Sequence, residues 1–178
     1  MRSSHSLLLG LLFLITVGHA QNSGSADDGI NLPAPTAAPD QLQFKTSEFT
    51  FVRIVYSDSV PSRGRSWLID HPEADYAIAR YVEQLTGLSV NRGGLVLELT
   101  DRMLWQFPFI YIVEGGRMRL DNREVAALRR YLDGGGFLLV DDLWGDAQWD
   151  SLSAELGRVF PDREPVELSP SHEIFRSF

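Results

Sequence analysis

Tyr131-Leu-Asp-Gly-Gly-Gly-Phe-Leu-Leu-Val-Asp-Asp-Leu-Trp-Gly145 carries the punctuation of an α/β protein. A helix ends at three glycines, which accept the left-handed backbone of a C-cap. A short apolar strand, Phe137 to Val140, follows. It stops at Asp141, Asp142, Trp144 and Gly145. In an open parallel sheet, ligands sit at the carboxyl ends of strands. Two adjacent carboxylates and an indole therefore stand where such a fold keeps its chemistry.

Upstream, Asp121 and Glu124 have capping-box spacing, and Leu120 and Val125 suit a hydrophobic staple. Val125, Leu128 and Leu132 form the inward stripe of the helix they open. Phe109 to Val113, Leu95 to Leu99 and Phe49 to Ser57 read as strands, being β-branched, aromatic and nearly continuous in apolar character. Ala74, Ala77, Ile78, Tyr81, Val82 and Leu85 recur at helical spacing before Gly87. Trp149, Leu152, Leu156 and Phe160 mark a last helix before Pro161. Strands alternating with helices predict a mostly parallel sheet covered on both faces.

The ends are different. Residues 1–20 have a basic start at Arg2, an apolar run from Leu7 to Val17, and Gly18-His19-Ala20 before Gln21. That is the layout of a cleavable secretory signal peptide. The run is short for ~30 Å of hydrocarbon, so no stable membrane span is expected after cleavage. Residues 21–43 are rich in Pro, Ala, Ser and Gly and predict a disordered tether. The folded domain is expected over residues 44–178.

The formal net charge is −8, and loss of Arg2 with the signal moves it to about −9. That acidity argues against nucleic acid or an anionic membrane as partner. The chain has no cysteine, which removes disulfides and thiol nucleophiles together.

As a set, several motifs resemble the bacterial domain family DUF4159. They are Phe51-Val-Arg-Ile-Val-Tyr-Ser57, Trp67 with Asp70-His-Pro-Glu-Ala-Asp75, Leu99-Thr-Asp101 and Phe107-Pro-Phe-Ile-Tyr111. Gly134 to Asp142 with Trp144-Gly145, Phe160-Pro-Asp162 and His172-Glu-Ile-Phe175 complete it. The resemblance implies a flavodoxin-like three-layer sandwich, akin to class I glutamine amidotransferases and ThuA-like proteins, and brings no established activity. It also implies further strands beyond His172-Glu-Ile-Phe175, hence a sheet incomplete at Phe178. Members of that family often carry Gly-His-Gly after the third strand where this chain has Glu114-Gly115-Gly116, so the resemblance implies no histidine-based role at that spot.

If the strands are parallel, Asp58, Asp101, Glu114, Asp141 and Asp142 fall along one edge of the sheet. Such a crest can take a hard cation or a polyhydroxyl ligand. Against this, Thr100-Asp101 reads as a cap, and Asp is common in caps and turns generally. His71 precedes the first helix, where Pro72 is expected as a starter and Asp70 or His71 as its cap. His172 reads as a structural loop residue. Trp67 and Trp144 lie in loops, where an indole either stacks on a ligand or covers the core. Arg63-Gly-Arg65 shares the Trp67 loop and reads as a solvated turn.

The expected function is a non-catalytic ligand-binding or protein-interaction module with a protein or glycan partner in the cell envelope. Its cleft would be lined by Trp67, Asp70, Asp75, Glu114, Asp141, Asp142 and Trp144. No cofactor is expected, although a divalent cation is compatible with the acids. The competing classes are a metal-assisted hydrolase using these carboxylates with His71, and a structural subunit of an envelope assembly.

Overall fold

The computed structural model describes residues 48–59 and 65–176. The signal-peptide and tether expectations lie outside the described residues. Six strands and three α-helices run in the order β1 (Phe49–Val55), β2 (Ser57–Asp58), α1 (Glu73–Thr86), β3 (Val90–Glu98), β4 (Phe109–Val113), β5 (Met118–Arg119), α2 (Asn122–Asp133), β6 (Phe137–Asp141) and α3 (Gly145–Val159).

β3, β1, β4 and β6 lie side by side in that order, and every pairing between them is parallel. The result is the mixed α/β, flavodoxin-like sandwich that the alternation of strands and helices predicts. Because the strands are parallel, their carboxyl ends share one edge. The order also reverses at β1: the chain moves outward to β3, then returns past β1 to β4. The crevice between the exits of β1 and β4 is therefore the switch point of the sheet.

Strand alternation divides the core. Val52, Ile54, Ile110, Ile112, Leu138 and Val140 face α2 and α3, joining Leu128, Leu132, Leu152 and Leu156 in the main cluster. Phe51, Tyr111 and Val113 face the other way, packed with Phe49, Phe109, Leu139 and Ile78 of α1.

α2 opens as expected. Asp121 Oδ1 accepts from the Arg123 and Glu124 amides at 2.7 and 2.8 Å, and Glu124 Oε2 accepts from the Asp121 amide at 2.8 Å. It closes at Gly135, whose φ is +93°. At Gly136 a Cβ would lie 2.3 Å from the Tyr131 ring, so only glycine lets the chain turn so closely under that ring.

Three details differ from the sequence expectation. β3 begins at Val90 rather than Leu95, because a bulge containing Gly94 (φ +58°) shifts its register against β1 between Thr50 and Val52. A two-stranded antiparallel ladder, β2 with β5, crosses the strand exits; two residues per strand are too few to show periodicity. Finally, α1 is rotated from its hydrophobic stripe. Its buried residues are Asp75 and Ala79, while Tyr81 and Leu85 are 54% and 65% exposed. The cause is a charge on the neighbouring strand.

Candidate ligand-binding site at the strand ends

Arg53 stands in the middle of β1 and is completely buried. A guanidinium there must have every donor engaged, since burial of an unpaired charge is very costly. Its Nε donates to Asp75 Oδ1 and Oδ2 at 3.0 and 3.2 Å, and Nη2 donates to Oδ1. Its Nη1 donates to the carbonyls of Trp67 and Ile69 at 2.9 and 3.2 Å. The Arg53–Asp75 pair therefore draws the Asp75 face of α1 inward and binds the segment carrying Trp67 to the sheet. It overrides the apolar stripe in setting the helix rotation.

Asp75 has a second partner. His71 Nδ1 lies 2.9 Å from Asp75 Oδ2. With the carboxylate accepting, Nδ1 is the donor. The imidazole is part-exposed at the start of α1. Neither Asp70 nor His71 caps α1 with its side chain; Pro72 occupies the cap, and the Asp70 carbonyl accepts from the Ala74 amide at 2.8 Å. Asp70 is in the left-handed region (φ +54°) rather than the extended conformation of a capping residue, and the side-chain cap goes unused.

On its other side the Arg53 guanidinium packs over the Tyr111 ring, 5.1 Å from the centroid. The Tyr111 hydroxyl donates to Asp141 Oδ2 at 3.4 Å, a long bond. Burial first, and the Asp141 charge second, push the Tyr111 phenol above its ordinary pKa, so it stays a donor. Asp141 Oδ1 accepts from the Asp142 amide at 2.8 Å. Asp142 adopts φ +61° and accepts from the Trp144 indole Nε1–H. The Trp144 amide donates to Gln148 Oε1 at 2.8 Å. The ring itself is 59% exposed.

A continuous chain of contacts thus runs His71–Asp75–Arg53–Tyr111–Asp141–Asp142–Trp144, buried from Asp75 to Tyr111 and reaching the surface at His71 and at the end of β6. Of the residues singled out from sequence, His71, Asp75, Asp141, Asp142 and Trp144 belong to it, while Trp67 touches it only through its carbonyl and packs its side chain against the main core.

Asp70 and Glu114 do not belong to it. Asp70 is exposed in the turn before α1. Glu114, at the switch point, is buried in a left-handed conformation (φ +49°) and pairs with Arg117 Nε at 2.8 Å. Neither glycine after it has room for a side chain: a Cβ at Gly115 would lie 2.4 Å from Val140 Cγ1 of β6, and one at Gly116 2.4 Å from Gln148 Cβ of α3. Arg117 also donates to Ser66 Oγ at 3.3 Å, and Ser66 donates to Asp58. Tyr56 closes the crevice, its hydroxyl donating to the Val113 and Glu114 carbonyls at 2.8 and 3.2 Å. Asp101 is a cap, accepting from the Met103 amide at 2.8 Å.

Arg53, Tyr111 and Arg117 were not singled out from sequence. The available signal was one charge inside an otherwise apolar strand, Phe-Val-Arg-Ile-Val. A separate cleft of about 460 Å³ opens at the exits of β1 and β3, lined by Val55, Tyr56, Ser57, Glu98, Thr100, Asp121, Arg123 and Glu124. Burial raises the Glu124 pKa there; the hydrogen bond from the Asp121 amide opposes the rise, and the charges of Asp121, Glu98 and Glu155 add to it. Among the described residues, no three His, Asp or Glu side chains are grouped to hold a metal ion. No described helix is long and apolar enough to cross a membrane.

Residues 50–178, well over half of the chain, match the family described as domain of unknown function (DUF4159). The chain belongs to that family. No curated protein matches it. Membership covers every element of the sandwich except the first residue of β1, and it attaches no chemistry to the contact chain from His71 to Trp144.

Proposed function

We propose that this member of the DUF4159 family is a secreted or periplasmic, non-catalytic binding module whose contact surface is formed by the accessible ends of the band, His71 and Asp141 to Trp144. The observation that carries the reading is Trp144: a largely exposed indole at a strand end, tethered through Nε1 to Asp142 and through its amide to Gln148. An aromatic ring fixed before contact loses little entropy on binding. The interior of the band supports the same reading. A buried ion pair adds little net stability compared with apolar packing, and its best-attested use is to specify one conformation. Here Arg53 and Asp75 specify the positions of His71 and the Trp67 segment.

Co-sedimentation of the full chain with isolated cell envelopes tests this. Saturable binding that Trp144→Ala abolishes supports the module; no binding, or binding indifferent to Trp144→Ala, overturns it. One observation favours a hydrolase instead: a part-exposed imidazole oriented by a carboxylate. Release of soluble product from the same envelopes, lost in His71→Ala, would establish catalysis and end the non-catalytic reading.

A further inference from the structure

We infer that this chain forms a two-fold symmetric dimer through the side of the sheet that carries α1. The two sides of β4 and β6 are unequally covered. Toward α2 and α3, Ile110, Leu138 and Val140 are at most 1% exposed. On the opposite side, Phe109, Phe137 and Leu139 are only part-buried. Among the described residues α1 is the one α-helix there, and it packs on β3 and β1. Segment Ser66–Leu68 also packs on this side, where Tyr111 and Val113 are buried. The amino half of β4 and β6 keeps an open apolar floor, with the Phe109 and Phe137 rings stacked 5.5 Å apart.

The helix beside that floor has an uncovered flank. Successive residues of a helix turn by about 100°. Glu83 points toward β3, where its Oε2 accepts from Arg92 at 2.6 and 3.1 Å. Ala74, Ile78, Tyr81 and Leu85 fall on the opposite flank, toward β4, and Ile78 joins the cluster that holds Phe109 and Leu139. Tyr81 and Leu85 stay 54% and 65% exposed. The surface thus lacks a helix over β4 and β6 and, next to that gap, presents a helix with an unpartnered apolar flank. It is its own complement: a two-fold axis lays α1 of each copy into the gap of the other, as an isologous contact requires. None of these floor and flank residues is charged, so two copies of net charge −8 meet there without stranding an ion. The area suits a reversible contact. α1 has 14 residues and is ~21 Å long, and a helix with two strands beside it is ~20 Å wide. That is roughly 400 Å² of flat footprint per copy, or roughly 800 Å² in all before side-chain relief is counted, against the ~1,200 Å² of accessible surface at which specific interfaces begin. A monomer rarely leaves an apolar patch of this size bare.

Sedimentation equilibrium of the full chain, from low micromolar to several hundred micromolar, tests this. The expected result is a reversible monomer–dimer equilibrium. Tyr81→Glu and Leu85→Glu should each weaken it roughly 10-fold or more, with thermal melts at low concentration unchanged. Tyr76→Glu, on the β3 flank of the same helix and 51% exposed, should leave it intact. A mass of one chain at every concentration overturns the dimer. If the same two variants then lower the melting temperature, the face is covered within the chain; if they are neutral, it is bare. Dimers or larger species indifferent to both variants place the contact elsewhere and likewise overturn the proposal.

Discussion

Replacing Arg53 by Met removes the buried charge while keeping most of the side-chain volume. It leaves the Asp75 carboxylate buried with His71 alone and strips the Trp67 and Ile69 carbonyls of their donor. Removing one partner of a buried pair costs about 3–5 kcal/mol, because the other charge is stranded. Asp75→Leu strands the guanidinium and costs a similar amount. The double variant strands no charge. Its remaining penalty is that of the two carbonyls, which are part-buried and reachable by water, at about 1–3 kcal/mol for each that stays dry. Two singles of about 3–5 kcal/mol and a double of about 2–4 give a coupling of at least about 2 kcal/mol. Urea denaturation of the four proteins, analysed by linear extrapolation, measures it. Additivity within about 0.5 kcal/mol, or single losses below about 1 kcal/mol, would refute the idea that this pair sets the rotation of α1.

Gly136→Ala should destabilise by about 1–3 kcal/mol, since the new methyl would sit 2.3 Å from the Tyr131 ring; thermal melts with Tyr131→Leu as the relieving second change would check this. Asp121→Ala removes both amide acceptors of the capping box and should cost about 1 kcal/mol in the same assay. Glu124 has a folded-state pKa above its ordinary 4.5, so its contribution to stability is present below 4.5 and lost as pH rises through the folded value. Glu124→Gln should flatten that stretch of the stability–pH curve. Calorimetric titration with Mg²⁺, Ca²⁺, Mn²⁺ and Zn²⁺ should show no saturable heat; saturable binding lost in Asp141→Asn and Asp142→Asn would point to a metal-dependent site.

The architecture was legible because its signals are local. Gly134 to Gly136, the Asp121–Glu124 capping box and the β-branched strands each declare themselves within a dozen residues. The site was legible only in part. Parallel strands place acids at one edge, so Asp141, Asp142 and Trp144 could be found by position along the chain. What joins them depends on pairings across the sheet. Arg53 and Asp75 are 22 residues apart, and no periodicity links them. The same pair explains why the apolar stripe of α1 misled: Tyr81 and Leu85 have the spacing of a buried face, but one buried carboxylate fixes the helix at another angle. Glu114 illustrates the opposite limit. Its position at a strand end was readable, whereas its burial against Arg117 under α3 follows from packing far along the chain.

Amide-shift mapping by NMR tests the central claim most directly, with the full chain titrated by a soluble extract of isolated cell envelopes. The account predicts perturbations at His71, Asp75, Tyr111 and Asp141 to Trp144, including the Trp144 indole N–H. Shifts confined to Ser57, Glu98, Thr100 and Arg123 would move the site to the cleft between β1 and β3 and contradict it.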